Sequence, residues 1–149
     1  MKLDLFNHIL PKPYFERLID IIPDKRMLDR YPKIPTLWDI DAHRAMLDEY
    51  EGYQQVLSLA NPPLEMLAGP NESPELARLA NNGMAAVVKA HPDQFPAFTA
   101  SLPMNNPDAA LAEAERAIDE CDARGVQLFT NVQGKPISAP EFAPIFDLL

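Results

Sequence analysis

The chain has 149 residues, 47% of them apolar and 23% charged, which suits one domain with a real core and is too apolar for a disordered segment. Its net charge of −9 repels phosphate backbones and argues against nucleic acid as a partner. No apolar run reaches the roughly 18 residues that cross a bilayer, Asp4 and His8 interrupt any signal-peptide pattern, and the lone Cys121 leaves no internal disulfide. A cytoplasmic protein with no membrane partner is expected.

The first eleven residues organise the rest of the chain. Residues 2–6 read as a short strand with Leu3, Leu5 and Phe6 apolar, delivering Asn7 and His8 into a turn closed by Pro11. Phe15, Leu18, Ile19 and Ile22 then recur at helical spacing over 13–22, and Pro23 stops the helix. A charged, proline-rich stretch over 24–36 reads as an excursion loop. Asp39 caps a helix running to Glu51, with Leu47 and Tyr50 inward and Gly52 as its stop. A strand over 53–60 ends at Asn61-Pro62-Pro63. Ser73-Pro74 opens a helix reaching His91, whose apolar face carries Leu76, Leu79, Ala80, Met84, Val87 and Val88. Another strand over 95–102 precedes a helix from Pro107, marked by Leu111, Ala114, Ile118 and Cys121 and ended by Gly125. Residues 126–130 form the fourth strand. Ser138-x-x-Glu141 is a capping-box pattern before a last helix with Phe142, Ile145, Phe146 and Leu149 as its stripe.

Strand and helix alternate four times, the pattern of a parallel α/β sheet. A doubly wound sheet and part of a (β/α)8 barrel both fit. Sixteen prolines against five glycines include no GxGxxG and no GxxxxGK[ST], so a phosphate-cradling loop is excluded, and a flavodoxin-like domain would find only HILPKP after its first strand. Polar side chains follow all four strands: Asn7 and His8, Asn61, Ser101, and Thr130 with Asn131. The chain also stops inside an apolar helical stripe. The expectation is therefore four β/α units, half of a TIM-type (β/α)8 barrel, as a single domain truncated before strand five.

Four segments carry a resemblance. DLFNHILPKPYFERL is similar to an opening D-x-H-x-H-x-x-P. TLWDIDAHRAMLDEYEGYQQVLSLANPP is similar to a W-D, Arg, M-D helix and second strand. KAHPDQFPAFTASLPMNNPDAALAEAERAI and ARGVQLFTNVQGKPISAPEFAPIFDLL are similar to the third and fourth strand blocks. Together they resemble the N-terminal half of the amidohydrolase-related proteins of the aminocarboxymuconate-semialdehyde decarboxylase type.

The resemblance implies a barrel enzyme holding a divalent metal, zinc or manganese, and acting as decarboxylase or hydrolase on an aromatic or unsaturated carboxylic acid. It implies a small-molecule carboxylate as partner, with His8 as a metal ligand and Arg30 and Asn131 as substrate contacts. The family's remaining ligands, a histidine after strand five and an aspartate after strand eight, would lie beyond Leu149. One departure weakens the metal site: Phe6 stands where the family's first ligand histidine would be, and a phenyl ring donates nothing to a metal. Arg30 lies about one residue off the family spacing to Trp38.

The other candidates read as structural: His43 and Arg44 as helix-surface salt bridges, His91 as a helix end complementing the dipole, Trp38 as packing and Cys121 as a plain helix residue. The alternative to an enzyme is a non-catalytic degenerate homologue, a half-barrel that associates with itself. An open four-strand sheet exposes edges and an apolar face, so a homo-oligomer is expected.

Overall fold

The computed structural model describes residues 2–22 and 25–149. Its strands are β1 (Lys2–Asp4), β2 (Tyr53–Leu57), β3 (Ala97–Phe98), β4 (Ala100–Ser101), β5 (Val126–Gln127), β6 (Asn131–Val132) and β7 (Lys135–Pro136). Its helices are α1 (Lys12–Ile21), α2 (Pro35–Trp38), α3 (Ile40–Leu47), α4 (Leu64–Leu67), α5 (Ser73–Ala90), α6 (Pro107–Asp119) and α7 (Ala143–Leu148). None of the described helices is long and apolar enough to cross a membrane.

Parallel neighbours follow chain order. β1 pairs with β2 in the register Leu3↔Gln54, and Ile9↔Leu59 extends the pairing past the strand exits. β2 pairs with β3 through Val56↔Ala97 and Leu57↔Phe98. The third strand then changes partner at Thr99. Thr99 N donates to Leu57 O at 2.8 Å, whereas Ala100 N donates to Gly125 O at 2.9 Å and β4 runs on beside β5. Among these parallel strands there is no reversal of order such as a doubly wound sheet requires.

α5 packs on α1 and on β3 and β4, because its residues Leu76, Ala77, Ala80 and Met84 face inward at three- and four-residue spacing. Gly83 lets it approach closely: a Cβ there would lie 2.3 Å from Pro11 Cβ. α1 turns Tyr14 and Leu18 inward, and full burial of a leucine side chain contributes about 1.5–3 kcal/mol. The expected stripe is thus rotated, since Ile19 is 39% exposed and Phe15 half-buried. Pro23, expected to stop α1, and Asp24 lie outside the described residues. The loop expected over 24–36 holds short 3-10 turns, Lys25–Leu28 and Tyr31–Lys33, followed by α2.

α3 is capped as expected, with Asp39 Oδ1 accepting from Asp41 N at 3.0 Å and Ala42 N at 3.2 Å. It ends at Leu47, and Tyr50 is exposed. His43 corrects the surface reading. It is 4% exposed, with Nδ1 2.7 Å from Thr36 O and Nε2 2.6 Å from Gln55 Oε1. Gln55 Nε2 donates onward to Asp4 Oδ2 at 3.3 Å, which turns the amide oxygen toward the ring. Both imidazole nitrogens are therefore engaged by oxygen atoms of other segments, which holds the ring inside the fold. Arg44 does meet a surface carboxylate, Asp41, at 3.7 Å, and its Nε donates to Gln94 Oε1 at 2.8 Å.

A second buried polar group fixes the exit of β4. Asn81 on α5 donates to Ser101 O at 3.0 Å and accepts from Ser101 N at 2.9 Å. Its amide also donates to Glu113 Oε1 at 2.7 Å, and Arg116 grips that carboxylate through Nε at 2.8 Å and Nη2 at 2.6 Å. Every member is hydrogen-bonded, which is what makes a buried charge tolerable. Cys121, just beyond α6, lies 3.1 Å from Arg116 Nη1.

Beyond β5 the chain leaves the parallel array. β6 and β7 form an antiparallel hairpin closed by Gln133 (φ 51°) and Gly134 (φ 87°), the positive pair a type I′ turn demands. Val132 of the hairpin joins Phe142 and Ile145 in a small core against Ala110 and Ala114 of α6. The capping box is not formed: α7 starts only at Ala143 with no side-chain cap, and Glu141 instead holds Lys135 at 2.6 Å.

Candidate functional site

The segment after β2, residues 58–65, gathers the side chains of interest. Its first contact is with His8, which the Ile9↔Leu59 bridge places alongside. Ser58 Oγ donates its one proton to Asn7 O, so toward His8 Nδ1, 2.8 Å away, it acts as acceptor. The proton of His8 is thereby assigned to Nδ1 and the lone pair to Nε2. Burial lowers the pKa of this imidazole from its ordinary value, against a smaller opposing effect of the Asp4 charge, so the neutral ring prevails at pH 7. A neutral imidazole oriented through one nitrogen is the form that binds a metal through the other.

Phe6, two residues earlier, meets the His8 ring edge-on at 4.8 Å between centroids and is 78% exposed. Among the described residues no three His, Cys, Asp or Glu side chains stand close enough to hold a metal ion. His8 is thus one suitable donor with no companion among them, and these residues by themselves do not fit a metal.

The second contact is at Asn61, whose peptide bond to Pro62 is cis. Buried Tyr31 donates from its hydroxyl to Asn61 O at 2.6 Å, and Arg30 Nη2 lies 3.4 Å from the same oxygen. The Arg30 guanidinium stands 5.0 Å over the Tyr31 ring, leaving the exposed cation beside the strand exits. Trp38 serves packing as expected, stacking on Phe15 at 6.5 Å and donating from Nε1 to Tyr31 O at 3.1 Å. His91 likewise ends α5.

The third contact is a cleft of about 510 Å³ between residues 61–66 and 129–133. Asn61, Glu65, Phe129 and Asn131 all line it. Asn131 does not simply end the fourth strand; it begins the hairpin, and its Oδ1 accepts from Gly134 N at 3.1 Å to brace the turn. Gln133 Nε2 donates to Glu65 O at 2.8 Å and ties the hairpin to α4. The structure therefore brings His8, Arg30 and Asn131 to one loop, each against a different part of it. Reading the sequence missed Ser58, Tyr31 and Glu65. Ser58 and Glu65 each carried a faint signal, a hydroxyl at the end of an apolar strand and an acid in the first turn after Asn-Pro-Pro.

The amidohydrolase family profile matches residues 38–149. The 2-amino-3-carboxymuconate-6-semialdehyde decarboxylase of Dictyostelium discoideum is 29% identical, covering 99% of this chain and 45% of the relative. The gamma-resorcylate decarboxylase of a Polaromonas species is 31% identical, covering 80% and 36% respectively. The crystal structure of a Polaromonas dihydroxybenzoic acid decarboxylase, with bound manganese and the inhibitor 2-nitroresorcinol, aligns with a TM-score of 0.77 at 27% identity. That alignment covers 98% of this chain and 45% of the neighbour, so the chain spans less than half the length of these relatives. With the profile covering more than half of its residues, the chain belongs to the amidohydrolase family.

Proposed function

We propose that these residues form the first four β/α units of a (β/α)8 barrel whose complete protein is a metal-dependent decarboxylase of a small aromatic or unsaturated carboxylic acid. One observation carries this reading: at the exit of the first strand, His8 presents an unprotonated Nε2 with its tautomer held by Ser58. His8 then supplies one ligand to a divalent metal, manganese or zinc, and the remaining donors come from outside these 149 residues. A metal held by His8 together with those donors would supply Lewis-acid chemistry toward the substrate carboxylate. Arg30, exposed and held only by long contacts to Asn61 O and Tyr31, would turn its guanidinium toward the carboxylate, and Asn131 would offer its amide N–H groups across the Asn61 loop. Leu3, Leu5 and Phe6, exposed by 47%, 69% and 78%, are the side chains that further strands of a closed barrel would cover. Because the curated relatives are decarboxylases, this reading is preferred to a self-associating module.

The test uses the complete protein. Metal content and carbon dioxide release from gamma-resorcylate are measured for the wild type, His8→Ala and Phe6→His. Stoichiometric manganese or zinc, lost in His8→Ala with the activity, is the expected result, and Phe6→His tightens metal binding. Full metal content in His8→Ala, or no carbon dioxide from any aromatic acid offered, overturns it.

A further inference from the structure

Glu65 has no place in the metal reading. It is 4% exposed, lines the 510 Å³ cleft, and also borders the narrow space beneath it with Ser101, Gln127 and Phe129. Among the described residues no cation pairs with its carboxylate. Burial accordingly pushes its pKa up. A carboxyl taken out of water with no cation beside it is costly, and the contact of Gln133 with Glu65 O holds the turn that keeps it there. Pro62, Pro63, Met66 and Phe129 form the apolar part of the wall, beside the polar Asn61, Thr130, Asn131 and Gln133. A molecule that suits this cleft brings a planar apolar body and a hydrogen-bond donor directed at Glu65. Phenols combine the two. An aliphatic acid offers no ring to Phe129, and an unsubstituted aromatic acid offers nothing to Glu65.

Resting on the function proposed above, we infer that Glu65 is a specificity-determining residue: it accepts a hydrogen bond from a ring hydroxyl of a hydroxylated aromatic acid whose ring lies between Phe129 and the Asn61–Pro62–Pro63 turn. The carboxylate of that acid is left for the His8 and Arg30 side of the same loop.

Two probes separate this inference from the metal reading. Resorcinol has the hydroxyls and lacks the carboxylate; 1,3-dimethoxybenzene has the same ring without donors. The complete protein is labelled with ¹³C at the methionine methyl groups, and the Met66 resonance is followed. Resorcinol is expected to shift it saturably and 1,3-dimethoxybenzene to bind at least about tenfold more weakly, the worth of one buried hydrogen bond. Glu65→Ala loses that preference, and Glu65→Gln, which keeps an acceptor oxygen, retains most of it. Equal responses to the two probes, or an unchanged preference in Glu65→Ala, overturn the assignment. If gamma-resorcylate binds and is decarboxylated while resorcinol leaves Met66 unmoved, the Glu65 assignment fails and the metal reading stands. If resorcinol binds through Glu65 and a carboxylate adds no affinity, the reverse holds.

Discussion

Removing one hydroxyl tests the state of His8. Ser58 is 6% exposed, and its Oγ is engaged on both sides, donating to Asn7 O and accepting from His8 Nδ1. In Ser58→Ala the Asn7 carbonyl loses this donor and the imidazole loses the contact that places its proton. A buried polar group left unpaired costs about 1–3 kcal/mol. For a chain of this size each kcal/mol moves Tm by about 2–4 °C, so a fall of about 2–12 °C is expected. Loss of an orienting partner weakens metal binding by a further 10–100-fold as an order of magnitude. Long-range ¹H–¹⁵N correlation spectra of the complete protein report the tautomer directly. The wild type should show His8 protonated at Nδ1, and Ser58→Ala a mixture of both forms. Protonation at Nε2 in the wild type at pH 7, or a variant with unaltered tautomer and metal affinity, would refute the reasoning.

Packing and charge give two further outcomes. Gly83→Ala gains about 1 kcal/mol of helix propensity, yet its new methyl would lie 2.3 Å from Pro11 Cβ, a ring atom that cannot swing aside. Overpacking of this kind costs about 1–3 kcal/mol, so urea denaturation should give a less stable variant. Gly125→Ala, whose Cβ meets nothing nearer than Thr99 Cγ2 at 3.9 Å, is the control, and equal stability of both variants would contradict the close approach. Glu65 has its pKa raised by burial in the folded chain, so its contribution is full below the unfolded value of about 4.5 and is lost as pH rises through the folded value. Glu65→Gln removes that loss, and its Tm advantage over wild type should grow between pH 4.5 and pH 7.5. An advantage that stays flat or shrinks over that range would mean the carboxyl is better solvated than its burial indicates.

Local signals settled the succession of elements. Asp39 and Asn106 cap helices, the latter by accepting from Ala109 N at 3.2 Å, because a side-chain acceptor within three residues of an orphan N–H acts without help from the fold. Apolar periodicity placed α5 and α6, and alternation with short apolar strands announced the parallel array. The hairpin was less legible, since Val-Gln-Gly-Lys lacks the Asn-Gly or Asp-Gly pair and only the positive φ at Gln133 and Gly134 reveals the turn. His43 was misread because an isolated polar residue on a helix normally faces water; Thr36 O and Gln55 Oε1 reach it from two other segments.

The site divides in the same way. His8 and Asn131 could be singled out as polar side chains after apolar strands, and Arg30 through resemblance. Their arrangement around residues 58–65 depends on contacts across 50 positions for His8 with Ser58, 31 for Arg30 with Asn61, and 68 for Gln133 with Glu65. The sequence by itself determined the longer helices, the Asp39 cap and the polar strand exits, because those interactions close within a turn or two of chain, whereas neither Ser73 nor Ser138 caps the helix it was read as opening. Tertiary structure alone decided which nitrogen of His8 carries the proton, and that Glu65 is buried with no cation beside it among the described residues. Both depend on groups that only folding brings within hydrogen-bond reach.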